Sequence, residues 1–475
     1  MNSRRLFSFC IWTVFIACLS LALDRLHCAV SFTKPWLITT SNTEDEDLYS
    51  IWKVAHGQSA YNDPTQIPFT MSYYNWLFYG LYGTVTAFFL HLLQLGDIWL
   101  PNIARLLTLF FALAISAFYF AILRRNLALR DFCPAYLLVA LSLIATLNPL
   151  FGFWIMTARP DVGALAFEIA GIFFLVIHLS RRRLVFALLA GLAFYLAWSF
   201  KQTAVTGLVA ATLTLLFHRR FAALVFLLLP WIVLVALTLS LGGRDYHYGV
   251  ITYHTGFTFF IGQSLEIFFS TLAKVPVLPL IIIVLFADAL RSARAGKLDA
   301  LPPEETLFLF ATVTALLFGL ITACKDGAAD NYFLPFSVWS GLWFFRVLPR
   351  LDRSYFSAAC LGVTALFLGG ISLVFLGRAG MIDRRASDLP NEILAQELRK
   401  FPAPVFVTDT YGDLPWIQPH PPYFVVPDIH KLETLIDQGY FGTIITLRQE
   451  KLSDAALARY ELTDHDAYFY YYVRK

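Results

Sequence analysis

MSYYNWLFYGLYGTVTAFFLHLLQ, residues 71–94, is the stretch on which the architecture turns. A membrane-spanning helix needs about 20 mostly apolar residues, and this run is long enough. It also carries Asn75, Gly80, Gly83 and several tyrosines, a composition at home along a membrane surface. The choice matters because a span here would invert every later segment.

The arginines decide it. Clusters stand at Arg124/Arg125/Arg130, Arg181/Arg182/Arg183, Arg219/Arg220, Arg291/Arg294/Lys297 and Arg346/Arg350/Arg353. Basic clusters flanking apolar segments face the cytoplasm. If 71–94 spans, all of these face outward while Arg4 and Arg5 face inward. If it lies along the outer surface, all face inward. The run is therefore read as an interfacial or re-entrant helix.

Further candidate spans lie at 6–23, 103–123, 134–152, 162–180, 184–199, 203–217, 221–241, 273–290, 305–322, 332–348 and 354–376. The expected fold is an α-helical polytopic membrane protein of about 11 transmembrane helices. Composition agrees: 58% of the 475 residues are hydrophobic and only 15% are charged, against about 25% in soluble domains. The net charge of +3 comes without a basic tract, so no nucleic-acid partner is indicated. The run after Arg4 and Arg5 resembles a signal peptide, with Ser20-Leu21-Ala22 as a cleavage site, but its length favours a retained first helix. The six cysteines are scattered without a C-x-x-C pair. Cys28 and Cys324 both fall outside, but nothing resembles a disulfide framework.

This topology makes residues 24–102 a long, acidic first outer loop and places 377–475 outside. In the latter, apolar runs shorten and alternate with polar ones. Strands are expected at 404–408, 423–426, 442–447 and 467–473, with helices at 431–438 and 453–460. That pattern describes a small extracytoplasmic α/β domain, after a membrane domain over 1–376.

Isolated charges collect on the outer side. Glu44-Asp45-Glu46-Asp47 follows the first span. Thr43-x-x-Glu46 fits a capping box, and a carboxylate turned to a cavity can also act as a general base. Arg159-Pro160-Asp161 opens the 162–180 helix, where Asp161 fits a cap; Arg and Asp at a membrane boundary are costly unless paired or used. Lys201-Gln202 separates two apolar halves. Lys201 suits either a snorkelling anchor or a phosphate ligand. Lys325-Asp326-Gly327 with Asn331-Tyr332, and Arg244-Asp245-Tyr246-His247, complete the set. The plain alternatives are a solvated ion pair, a helix cap and an interfacial belt. All of these sites fall on one side of the membrane, which suggests an outer cavity lined by carboxylates and cations.

These motifs resemble the GT-C superfamily, most of all its protein mannosyltransferase and lipid A aminoarabinose transferase branches. The resemblance rests on the acidic motif, Gly57 with Tyr61-Asn62-Asp63, Tyr73-Tyr74-Asn75-Trp76, Arg159-Pro160-Asp161, Lys201-Gln202, and Lys325, Gly327, Asn331 and Tyr332, over about residues 1–375. It implies a glycosyltransferase of a bacterial inner membrane with its site on the outer face. The donor would be a polyprenyl-phosphate-linked sugar and the acceptor a saccharide, lipid or protein. Transfer would invert the anomeric carbon, with a first-loop acid (Asp45, Glu46 or Asp47) as base and Asp161 as a second carboxylate. Cations (Lys201, Arg159, Arg244, Lys325) would meet the departing phosphate, and Gln202, Tyr61, Asn331, Tyr332 and His247 would line the cavity. The resemblance leaves a divalent cation open and implies no other cofactor. A lipid-linked sugar flippase is the rival reading. It would place charges near the membrane midplane and show internal repeats, and neither is seen in the sequence.

Overall fold

The structure is a computed structural model. It describes residues 43–347 and 397–475, apart from 64–65, 67–69, 127–128, 130–133, 149, 153, 257, 276–277, 280, 284, 287–289, 291–300, 408–428 and 448–451, together with scattered positions between 9 and 23. The expected spans at 6–23 and 354–376, the strand at 423–426 and Cys28 lie wholly or mostly outside the described residues.

Among the described residues, eleven α-helices of twelve residues or more build the first part in chain order: α1 Thr43–Ala55, α2 Trp76–Leu92, α3 Leu100–Arg125, α4 Ala135–Leu147, α5 Pro160–Arg181, α6 Leu184–Phe200, α7 Thr206–Phe217, α8 Phe221–Leu241, α9 Ile261–Lys274, α10 Pro303–Ala323 and α11 Leu334–Val347. By length and composition, four of the described helices can cross a membrane: Asp97–Arg125 (which adds a short 3-10 turn to α3), α5, α8 and α10. α2, α4, α6 and α7 are apolar but shorter. α6 and α7 are short because the turn carrying Lys201 interrupts what would otherwise be one long apolar run. The turn lies at one end of the bundle, and Lys201 within it is buried. α9 has no counterpart in the sequence reading, which begins a span at 273. Ile261 and Phe269 on it are exposed, while Ser264 and Thr271 are buried.

α5 is the central helix, packed against α3, α6, α7 and α10. α8 is peripheral and bears exposed Phe221, Val225, Leu229, Ile232 and Leu237. A continuous apolar surface of this kind suits lipid. α6 meets α8 at backbone range: a Cβ on Gly191 would lie 2.2 Å from the Leu227 carbonyl oxygen, the close approach that small residues permit between membrane helices. On α5, Gly163 leaves room for the Phe200 ring of α6, which a Cβ there would meet at 2.4 Å. That contact brings Asp161 beside Lys201.

The two ends of the bundle differ in charge. One end gathers α1, the start of α5, the α6–α7 turn and the start of α11. The other gathers arginines: Arg125 donates to Ser180 Oγ at 2.9 Å, Arg220 to the Leu179 carbonyl at 3.3 Å, and Arg346 lies 3.3 Å from Glu304.

The C-terminal part is a four-stranded sheet ordered β1-β2-β4-β3, from β1 Val405–Val407, β2 Thr443–Leu447, β3 Tyr460–His465 and β4 Phe469–Arg474. β1 runs parallel to β2, with α12 Ile429–Asp437 in the connection; β4 runs antiparallel to both neighbours. Phe406, Ile444, Tyr460 and Tyr472 pack with Leu432 of α12 and Ala456 of α13, Asp454–Arg459. The sequence reading gives no strand at 460–465. β3 is an exposed edge, so its polar side chains conceal it.

Candidate functional site

The four acids at the start of α1 separate into different roles. Successive helical residues point about 100° apart. Glu44 is fully buried and grips Arg105 of α3 through two bonds of 3.0 Å, while Glu44 Oε1 accepts the Ala158 N–H at 2.8 Å. This carboxylate ties α1 to α3 and to the segment before α5. Glu46 is buried near Tyr73 and Tyr253. Asp47 is buried and takes the Tyr79 hydroxyl on Oδ1 at 2.8 Å; its Oδ2 has no hydrogen-bond partner among the described residues. The Asp45 side chain lies outside the described residues. Burial pushes the Asp47 carboxyl up to about 8; Asp161 and Glu44 add to the rise, and Arg159 and Tyr79 oppose it.

Asp161 is the hub. Its Oδ1 accepts from the Lys201 ammonium and, at 2.7 Å, from the Asn331 amide, and its Oδ2 lies 3.8 Å from Arg159 Nε. The helix cap expected of Asp161 does not form; nor does Asn331 cap, since its Nδ2 donates to Asp161 and its Oδ1 accepts no hydrogen bond among the described residues. Aromatic faces surround the cations. Lys201 sits 4.5 Å from the Tyr332 ring centroid. Arg159 lies 5.5 Å from the Trp154 ring and donates to the Tyr74 hydroxyl at 2.8 Å. Such contacts are worth about 0.5–2 kcal/mol each, most where water is excluded. Behind them, Trp154 donates to Asp330 at 2.9 Å, and Asp330 also pairs with Lys274. Lys201 is 6% exposed, so it does not snorkel.

The flanking residues brace this centre. Gln202 donates to the Tyr73 carbonyl at 2.9 Å and to that of Val250 at 3.2 Å. His254 Nε2 donates to the Tyr73 carbonyl at 3.0 Å, leaving Nδ1 to accept from Lys325 at 2.8 Å. Burial and then the Lys325 charge hold His254 down at about 4, and burial and then Lys201 hold Lys325 at about 8. Lys325 thus turns to a histidine, where a local pair with Asp326 was the plain expectation. The Tyr61 hydroxyl donates to the Tyr74 carbonyl at 2.8 Å. Arg244 is exposed and His247 Nδ1 bonds the Gly243 carbonyl; among the described residues no contact joins either to the Asp161 centre.

Four contributors are not among the expected site residues. Tyr74, Tyr79 and Trp154 carry no charge to announce them. Glu168, buried within α5, takes Thr206 Oγ1 at 3.0 Å and the Gly207 N–H at 2.8 Å, so it caps α7 just past the Lys201 turn. Only its oddity as a lone carboxylate inside an apolar run could have flagged it. No group of three or more His, Cys, Asp or Glu side chains placed to share a metal occurs among the described residues.

Glu44 and Asp47 should separate on substitution. Glu44→Gln leaves Arg105 buried opposite a neutral group, and breaking such a pair costs about 3–5 kcal/mol. A clear fall in thermal midpoint and folded yield is expected, with near-normal activity per folded molecule. A stable, inactive Glu44→Gln would instead place Glu44 in the chemistry.

No protein-family model and no curated protein match the chain. Solved structures do. A crystal structure of ArnT from Cupriavidus metallidurans bound to undecaprenyl phosphate superposes with a TM-score of 0.61 at 14% identity, covering 96% of this chain and 97% of that one. ArnT from Cupriavidus metallidurans in the apo state gives 0.57 at 14% identity, covering 92% and 95%. The chain therefore shares the fold of ArnT over 96% of its length.

Proposed function

We propose that the chain is a membrane glycosyltransferase that moves a sugar from a polyprenyl-phosphate carrier to an acceptor at the end of the bundle holding Asp47 and Asp161. The observation that carries this reading is the pairing of two buried carboxylates with Arg159 and Lys201, on a fold shared with an ArnT that binds undecaprenyl phosphate. Neither Asp47 Oδ2 nor Asp161 Oδ2 has a hydrogen-bond partner among the described residues.

Asp47 suits the base. The acceptor's nucleophilic oxygen or nitrogen attacks the anomeric carbon and gives its proton to Asp47 Oδ2. The bond from that carbon to the phosphate oxygen breaks, the phosphate keeps the electron pair, and configuration inverts. The cations on hand, Arg159, Lys201 and Lys325, offset the charge that grows on the phosphate. Asp161 holds Lys201 and Asn331 in place and offers Oδ2 to the acceptor. Buried donors and acceptors that are already fixed need no reorganisation during reaction, which is where such sites gain rate.

The proposal is tested by thin-layer analysis of lipid-linked sugars in cells lacking the protein. One polyprenyl-phosphate sugar should accumulate and clear again on complementation with the wild type. An unchanged lipid-sugar pool would sink the reading.

The division at 376 and the outer placement of residues 377–475 belong to the same proposal. Reporter fusions after Arg125, Arg183 and Lys297 should read cytoplasmic, and one after residue 380 external. An external signal at Arg125 would place the carboxylate cluster on the cytoplasmic side.

A pH dependence follows as well. A base held at about 8 is mostly protonated at neutral pH. Donor-limited transfer should therefore rise with pH and level off above about 8. A rate already flat from pH 6 would remove Asp47 as base.

A further inference from the structure

The bundle's opposite end has a pocket of about 500 Å³, lined by His178, Arg182, His218, Arg219, Arg220 and Phe221 among others. It sits where the α5–α6 and α7–α8 turns meet. Arginines at such turns need do no more than set orientation, but three observations go beyond that role.

The first is charge without a counter-charge. Among the described residues no carboxylate pairs with Arg182, Arg219 or Arg220. The Arg220 guanidinium spends one donor on the Leu179 carbonyl at 3.3 Å, which aims the fork without neutralising it. Burial, and then the nearby Arg182, pull Arg220 below its ordinary value. Like charges are being held together.

The second is backbone conformation. Arg182 has φ 56° and Arg219 φ 53°, both in the left-handed region. Glycine is the usual residue there because a Cβ costs about 1–2 kcal/mol. At both turns arginine keeps a Cβ where glycine would relax the backbone, so two long cations stand at positions that the backbone alone would give to glycine.

The third is the neighbourhood. Exposed Phe217, Phe221 and Val225 border the pocket with a lipid-facing apolar surface. A soluble anion has no use for that surface, whereas an acyl chain does.

We propose that this pocket binds the phosphate of an anionic phospholipid, with Arg182, Arg219 and Arg220 facing the headgroup and the Phe217–Phe221 surface receiving a chain. Basic pockets between membrane helices take headgroups in this way. The inference does not depend on the proposed transfer reaction, because the pocket lies at the other end of the bundle.

The test uses the full chain in neutral detergent, with its thermal midpoint read against added phosphatidylglycerol, phosphatidylcholine or inorganic phosphate. Phosphatidylglycerol should raise the midpoint by about 2–4 °C, and phosphatidylcholine should not. The double variant Arg182→Gly/Arg219→Gly removes two charges and also relieves both strained backbones. It should therefore fold at least as well as the wild type in phosphatidylcholine while losing most of the phosphatidylglycerol shift. Arg220→Gln should lose it too. A full shift with inorganic phosphate alone would overturn the lipid and leave a soluble anion site. Equal shifts with both lipids, or an intact phosphatidylglycerol shift in the double variant, would overturn the site itself.

Discussion

Asp47→Asn is expected to lower sugar transfer by about 10²-fold or more while the protein stays folded in the membrane. The amide keeps the shape and still accepts the Tyr79 hydroxyl, so the packing around α1 and α2 survives. What disappears is the ability to take a proton. The sign of the stability change distinguishes this residue from its neighbours. The folded Asp47 carboxyl keeps its proton up to about 8, whereas the unfolded one releases it near the ordinary 3.8. Between these values the folded state binds more protons than the unfolded chain, so Asp47 makes the protein less stable as pH rises through that window. Asn does not titrate. At pH 8 the variant should therefore melt no lower than the wild type while being far less active. A variant both inactive and clearly destabilised at pH 8 would mean that Asp47 is a structural group. A variant with wild-type transfer would send the search for the base to Glu46 or Asp45.

That contrast also shows what a sequence can and cannot tell. Arginine clusters and lone charges differ in kind along the chain, and among the described residues Arg125, Arg220 and Arg346 lie at the end of the bundle opposite Asp161 and Lys201. Lys201, Asp161, Asn331 and Tyr332 lie up to 171 residues apart, counted from 161 to 332, and meet in one centre. Their types suggested this, since a buried charge needs a partner. The division of labour among Glu44, Glu46 and Asp47 could not be read. It depends on which partner each helical direction meets, and Arg105 and the Ala158 N–H are distant in sequence. Arg244 and His247 are of the expected types at an interface, but among the described residues no contact joins either to the Asp161 centre. Tyr74 and Trp154 were invisible as site residues because an aromatic in an apolar chain is ordinarily packing, and only the cation placed over the ring changes its meaning.

Lys201 carries the last prediction, and its effect should be the most severe. The ammonium lies between Asp161 Oδ1 and the Tyr332 ring, almost out of contact with solvent. Lys201→Gln removes the positive charge and leaves the Asp161 carboxylate buried with only Asn331 and a more distant Arg159. Breaking a buried pair in this way costs about 3–5 kcal/mol, so both melting point and transfer should fall. Loss of activity alone would then be ambiguous, and the double variant resolves it. Asp161→Asn/Lys201→Gln replaces the pair with two neutral amides that can still bond each other. Its melting point should recover much of what either single change loses, because no unpaired charge stays buried, and such coupling between contacting residues is measurable. Transfer should not recover, because a cation and a carboxylate are both gone from the site. Lys201→Arg is the finer probe. Charge is conserved, but a planar fork does not fit where a point charge sits against a ring. It should fold better than Lys201→Gln and still transfer poorly, with the deficit shared between weaker binding of a short-chain polyprenyl-phosphate donor and slower turnover. Wild-type transfer in the double variant would show that Lys201 and Asp161 form only an internal brace, leaving the phosphate to Arg159 and Lys325.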